Sequence, residues 1–192
     1  MTQQEIVAEF RQKNICGKII DLSPVTEKAL PEIVRLRNTP KMIYYFNQAG
    51  EITLESQLEW YKKYLQRKDD LYWTICTKDG KIIGTNRLYD ITPEKCEQGS
   101  LMVNENFSMT APYAAEAIML SLDFAFEVLG VNSIINDNRH DNKNMNSITR
   151  RFGFTFLREI EIRGVAYKYY ELYKQNYKKS AVEEIIQLWL ER

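Results

Sequence analysis

The segment spanning residues 111–129, which includes AAEAIMLSLDFAFEVL, constrains this chain more than any other, because it is apolar on most of its faces. A helix of that kind has no side left for water and belongs between layers of other structure. It is not a membrane span, since no charge-free apolar stretch here approaches the roughly 20 residues that a span needs. With 192 residues, 44% hydrophobic and 27% charged, the chain is long enough to build one core around it and bury roughly 70% of its unfolded surface. No internal repeat or low-complexity linker interrupts residues 1–192, so a single domain is expected.

The surroundings of this central helix read as alternating strands and helices. Residues 2–13 suggest a short amphipathic helix and Lys18–Val25 (KIIDLSPV) a first strand. A helix from Thr26 to about Arg37 follows, made irregular by Pro31 and stopped at Asn38-Thr39-Pro40, because the residue before proline avoids the α region. MIYYFNQAG reads as an aromatic loop. Leu54, Leu58, Tyr61 and Leu65 recur at helical spacing, which predicts a helix over 53–67. LYWTICT and IIGTNRLYDI around Asp79-Gly80 form a hairpin, and a third strand covers about Glu97–Val103. After the central helix, closed by Gly130, come a short buried strand (SIIND), a helix over Asn142–Arg151, a hairpin turning at Arg163-Gly164 and a terminal helix over Ser180–Leu190. The order α-β-α-α-β-β-β-α-β-α-β-β-α indicates a mixed α/β (α+β) sheet.

Several chemistries are excluded by counting. Twenty-six basic and 26 acidic side chains leave zero formal charge, which argues against a phosphate-tracking nucleic-acid surface. His140 is the only histidine, so histidine-rich metal sites and a Ser-His-Asp triad are disfavoured, and no metal is expected. Eight glycines fall well below the roughly 7% of ordinary proteins, and no GxGxxG or GxxxxGK occurs. Cys16, Cys76 and Cys96 are an odd, scattered set without CxxC spacing behind a polar N-terminus. A reduced, cytoplasmic protein is the expectation.

Short segments in a fixed order carry a family resemblance. Leu36-Arg37-Asn38-Thr39-Pro40, Ile83-Gly84-Thr85, Leu122–Glu127 with Leu129-Gly130-Val131, Asp141-Asn142-Lys143-Asn144 and Arg151-Phe152-Gly153-Phe154 resemble the GNAT (acetyl-CoA-dependent N-acetyltransferase) superfamily. The branch they resemble contains ribosomal-protein-alanine acetyltransferases. RNTPKMIYYF, TLESQLEWYKKYL and YWTI are also similar to the subgroup that acetylates amino groups on nucleotide-linked sugars. The resemblance covers about residues 18–175 and implies a mixed, mostly antiparallel central sheet flanked by helices, with the end helices as additions.

Acetyl transfer to nitrogen needs a neutral amine, a thioester within attack distance, stabilisation of the oxyanion and a proton for the departing thiolate. The resemblance implies acetyl-CoA as co-substrate, its thioester arm lying along Leu101, Met102 and Val103, and Asn142 on the pantetheine side. The family's pyrophosphate loop, R-x-x-G-x-G/A, corresponds here to Met109-Thr110-Ala111-Pro112-Tyr113-Ala114. Arginine and both glycines are replaced. The Thr110 hydroxyl and the amides of Tyr113, Ala114 and Ala115 remain to meet the anion at a helix N-terminus, with Lys143, Arg150 and Arg151 as further cations.

Glu97 lines up with the family's E-x-G glutamate and is the candidate general base, a strand-end surface charge being the alternative; Asp90 and Glu55 are further carboxylates. The family's tyrosine acid is matched by Thr149, whose hydroxyl is too weak an acid, so the thiolate leaves unassisted or another tyrosine serves. Tyr45 and Phe46, with Tyr44, Trp60, Tyr61, Tyr72 and Trp73, either stack on a sugar or nucleotide or simply fill the core. Arg37 and Arg87 are candidates for an anionic acceptor. The expected partners are a small-molecule amine or a protein N-terminus, with no nucleic acid and no membrane, and helix 180–190 is a candidate homodimer element. The competing reading is a GNAT-fold binding module that no longer turns over.

Overall fold

The computed structural model describes residues 1–108 and 110–191. Eight strands form one sheet in the order β1-β2-β3-β4-β5-β6-β8-β7. They are β1 (Ile15–Cys16), β2 (Ile20–Pro24), β3 (Leu71–Thr77), β4 (Ile82–Tyr89), β5 (Lys95–Val103), β6 (Ser133–Arg139), β7 (Thr155–Ile162) and β8 (Val165–Tyr173). Each neighbouring pair is antiparallel except β5 and β6. The helices are α1 (Gln3–Phe10), α2 (Leu30–Arg37), α3 (Pro40–Tyr45), α4 (Leu54–Gln66), α5 (Glu105–Ser108), α6 (Tyr113–Asp123), α7 (Lys143–Arg151) and α8 (Ser180–Leu190). No described helix is long and apolar enough to cross a membrane.

The sheet separates two apolar clusters, because neighbouring residues of a strand point to opposite faces. Trp73, Ile75, Ile83 and Leu88 pack with α6, α1 and α8. Tyr72 and Met102 pack with α2 and α4. As the sequence requires, α6 is the buried centre of the larger cluster, with Ala117, Ile118 and Leu122 at most 2% exposed. It continues into a π-helical turn over Phe124–Val128, in which the Leu129 amide donates to the Phe124 carbonyl at 3.0 Å.

Two expectations are corrected. Met42–Tyr45 are helical, not a loop, with Phe46 as the C-cap: Thr39 is extended (ψ 144°) and Pro40 starts α3, since the proline that ends one helix suits the first position of the next. The second helix opens with a 3-10 turn at Glu27–Ala29 before Pro31 enters α2. α4 forms over Leu54–Gln66, within the span that the spacing predicts; Gln57 and Tyr64 are buried, Leu58 and Tyr61 pack partly buried against the α2 cluster, and Leu54 and Leu65 are exposed. Thr53 and Ser56 cap this helix reciprocally, side chain to amide, at 3.1 Å each.

One glycine sets how closely the sheet packs near its middle. A Cβ on Gly84 would collide with the Met102 carbonyl oxygen, so only glycine lets β4 approach β5 there. Opposite Asn86, β5 carries the extra residue of a bulge: Thr85 pairs with Met102 and Arg87 with Gly99. Ser100 takes φ +51°, its carbonyl bound by the Thr85 hydroxyl at 2.7 Å. A bulge of this kind bends a strand and re-aims its backbone.

Candidate active site

β5 and β6 run parallel through only three pairs, Lys95 with Ser133, Cys96 with Ile134 and Glu97 with Ile135. Both strands continue, β5 to Val103 and β6 to Arg139, but they no longer pair. They part at Glu97. The beginning of that parting is tied by a side chain: the Asn136 amide donates to the Gln98 carbonyl and to its side-chain oxygen, each at 2.9 Å. Gln98 in turn donates to Asn86, which donates to the Ala117 carbonyl of α6. Asn138 donates to Asn136 at 2.7 Å and to Thr149 of α7 at 2.9 Å. This buried amide chain crosses three strands on the α6 and α7 face and satisfies each of its members, as buried polar groups require.

The opposite face carries charge. Glu97 is partly exposed and lies across the β4–β5 ladder from Tyr89. The Tyr89 ring also covers Gly99, where a Cβ would approach it to 3.1 Å. Burial, and then the negative charge of Glu97, push the Tyr89 hydroxyl above its ordinary range. Asp137, two residues beyond Ile135, shares this face with Tyr169, its partner across β6–β8. Burial first, and Glu97 second, raise the Asp137 carboxyl to about 6. Burial also pushes the Cys96 thiol up to about 12, which removes it as a nucleophile.

Two clefts flank this face. One of about 270 Å³ is lined by Leu36, Pro40, Met42, Met102, Val103 and Asn104. A second, of about 530 Å³, shares Pro40 and is lined by Asn38, Ile43, Tyr44, Gln48 and Arg139 among others. Glu97 and Asp137 line neither of them. Arg37 ends α2, its guanidinium 4.9 Å from the Phe46 ring centre and hydrogen-bonded to Gln48 at 2.8 Å. Burial, together with the nearby Arg87 cation, draws the Arg37 pKa below its usual value, with Tyr72 opposing. Arg87 is differently placed. The fully buried Asp70 grips it through two bonds of 2.5 and 2.9 Å, and Trp60 and Tyr89 stand within 5.3 Å of its guanidinium.

The Acetyltransferase (GNAT) domain model matches residues 20–155, well over half of the chain. The chain belongs to the GNAT acetyltransferase family. Among solved structures it is similar to apo FdhC, a nucleotide-linked sugar GNAT, at 26% identity over 91% of this chain and 98% of that one, with a TM-score of 0.77. A GCN5-related N-acetyltransferase from Brucella melitensis shares the fold at 21% identity over 93% of this chain and 86% of that one, TM-score 0.74. So does spermidine N-acetyltransferase from Vibrio cholerae, solved in complex with CoA and spermine, at 16% identity over 84% of this chain and 99% of that one, TM-score 0.75. No curated protein matches the chain.

In this GNAT domain the positions singled out from the sequence fall into separate groups. Leu101, Met102 and Val103 line the free side of β5, past the point where β6 leaves it. Tyr113, Ala114 and Ala115 open α6, and no side chain caps that N-terminus. Thr110 is exposed, and its hydroxyl donates to the Phe107 carbonyl at 3.0 Å. Trp189 of α8 donates to the Thr110 carbonyl at 3.1 Å. Met109 lies outside the described residues. Asn142 caps α7, accepting from the Met145 amide at 3.2 Å, and Lys143, Arg150 and Arg151 are exposed. Asp90 is paired with Arg67 at 2.5 Å, and Glu55 is exposed on the first turn of α4. Tyr45 stands edge-on to the exposed Tyr44. His140 is exposed. Among the described residues no His, Cys, Asp or Glu cluster suits a metal ion.

Asp137, Tyr89 and the amide chain escaped the sequence reading, which ends the strand at Asp137. The signal lies in Asn136-Asp137-Asn138-Arg139, a polar run that prolongs the apolar Ile134-Ile135. Polar residues continuing a buried strand mark a place where its neighbour has left.

Proposed function

We propose that this GNAT protein transfers an acetyl group from acetyl-CoA to a primary amine, carried by a nucleotide-linked amino sugar. The observation that carries the reading is the parting of β5 from β6 immediately after Glu97, with two carboxylates on one face of the gap. The residues present fit the co-substrate. The free side of β5 over Leu101–Val103 is an extended backbone edge for the pantetheine arm. The amides of Tyr113, Ala114 and Ala115 at the N-terminus of α6, which no side chain caps, would hold the pyrophosphate. Thr110 contributes no donor there while its proton is held by Phe107.

When bound, acetyl-CoA supplies an acetyl group activated as a thioester. The chain's own part is to receive the amine beside Glu97, remove its proton onto a carboxylate of this face, and exclude water with Tyr89, Tyr169 and Trp60. Arg37, which has no carboxylate among its described partners, suits the anionic part of a nucleotide-linked acceptor. Arg87 is committed to Asp70 and acts by holding the aromatic wall. The similarity to a nucleotide-linked sugar GNAT supports the same acceptor class over a protein N-terminus.

The replaced loop glycines and the indole of Trp189 on the Thr110 carbonyl favour a second reading, a binding module without turnover. Titration calorimetry with acetyl-CoA separates the two. Saturable binding is expected, and its absence at millimolar concentration leaves only the second reading. With UDP-glucosamine as acceptor, Arg37→Gln is expected to raise KM about tenfold, the loss of one charge-assisted contact, while KM for an uncharged primary amine stays unchanged.

A further inference from the structure

Asp137 stands out because of what surrounds it. Asn136 and Asn138 direct their amides to Gln98 and Thr149 on the α7 side of β6, so Asp137 between them projects to the other face. Gln98 joins the same amide chain, so Glu97 also projects away from it. The two carboxylates therefore share one face on adjacent strands, Glu97 at the last pair of the ladder and Asp137 one step into the gap. Tyr89 flanks them from β4, Tyr169 and Tyr167 from β8 and Arg139 from the next inward position of β6. Arg139 is turned to Asp141 and the Tyr44 ring, 3.0 and 3.9 Å away, and Arg87 to Asp70. Asp137 keeps no basic partner among the groups that act on it; only burial and Glu97 shift its carboxyl.

We infer that Asp137 is the catalytic residue that accepts the amine's proton, with Glu97 as the fixed charge that holds the ammonium beside it; this rests on the acetyl-transfer reading. The first proton passes from the ammonium nitrogen to an Asp137 oxygen. The freed lone pair forms the amide bond to the thioester carbon as the carbon–sulfur bond breaks. The second amine proton goes to the departing thiolate through water, and Asp137 returns the first to solvent. Glu97 is the residue that sequence motifs favour for the proton, so the two assignments make opposite predictions. A neighbouring negative charge raises a carboxyl, and its removal lowers it.

The test measures kcat/KM against pH for the full chain with acetyl-CoA and two probe amines, UDP-glucosamine and a short peptide with a free N-terminus. An acid limb with a midpoint near 6 is expected. Asp137→Asn should lose that limb and about 100-fold or more of the rate at pH 7.5. Glu97→Gln should keep the limb, move its midpoint to lower pH and lose less than tenfold. Carbon-13 NMR of the Asp137 carboxyl follows the same titration in the parent protein and in Glu97→Gln without relying on turnover. Loss of the limb in Glu97→Gln with its retention in Asp137→Asn overturns the assignment while leaving acetyl transfer intact. A parent protein that acetylates neither amine overturns acetyl transfer, and this assignment with it.

Discussion

Glu116 is fully buried and accepts three backbone amides, those of Lys18, Ile19 and Ile20, at 2.6, 2.8 and 2.9 Å. A carboxylate so surrounded is held in place by charge-assisted bonds, and its loss strands three donors without water. Glu116→Ala is expected to cost about 3 kcal/mol, read from urea unfolding midpoints. Asp137 presents the opposite case. Its carboxyl is raised to about 6, above the value of the unfolded chain, so the native state binds the extra proton. Its contribution is complete below about pH 4 and is lost as pH rises through 6. Asp137→Asn removes that loss, and its Tm relative to the parent should rise between pH 4.5 and pH 8, by on the order of 2 kcal/mol in stability. Neither residue announces itself locally: Glu116 reads as an acid in a first helical turn, and Asp137 as the end of a strand.

The β4–β5 pair shows how one residue controls an element. Gly84 lets the Met102 carbonyl come close, and the bulge at Ser100 follows it along the same ladder toward Glu97. Gly84→Ala forces that carbonyl away, and an overpacked site of this kind costs about 2 kcal/mol. Chemical denaturation measures the cost, and acetyl-CoA affinity should fall with it, since the same backbone lines the gap. The hairpins, α4 and α8 were legible because their signals are local. β3 and β4 are marked by β-branched runs around Asp79-Gly80, and α8 matches its expected span of Ser180–Leu190. The short α3 was not legible, because six residues starting at a proline offer too little periodicity to separate a helical turn from a loop.

Of the two apolar clusters, one on each face of the sheet, the larger joins the chain's ends to its middle. In α8, Val182 and Ile186 are at most 1% exposed within the larger cluster, while Leu188 and Leu190 face outward. The helix therefore packs on its own domain, and its Trp189 reaches the turn before α6. Ile186→Ala is expected to cost about 3 kcal/mol through the cavity it leaves. Leu188→Ser should stay within about 0.5 kcal/mol, and thermal unfolding of the two variants distinguishes an inward from an outward face.

From the residues alone came the buried central helix, the order of strands and helices apart from the short β1, α3 and α5, the resemblance to a GNAT domain and the shortage of glycine at the pyrophosphate turn. Each depends on periodicity or on motifs of a few neighbouring residues. Only the folded chain decided that Arg87 belongs to Asp70, that Asn142 caps a helix, that α8 covers the turn before α6, and that Asp137 stands with Glu97 where β5 and β6 separate. Those facts depend on strand register and on which face a side chain takes, and residues forty positions apart in sequence acquire a shared environment only when the sheet forms.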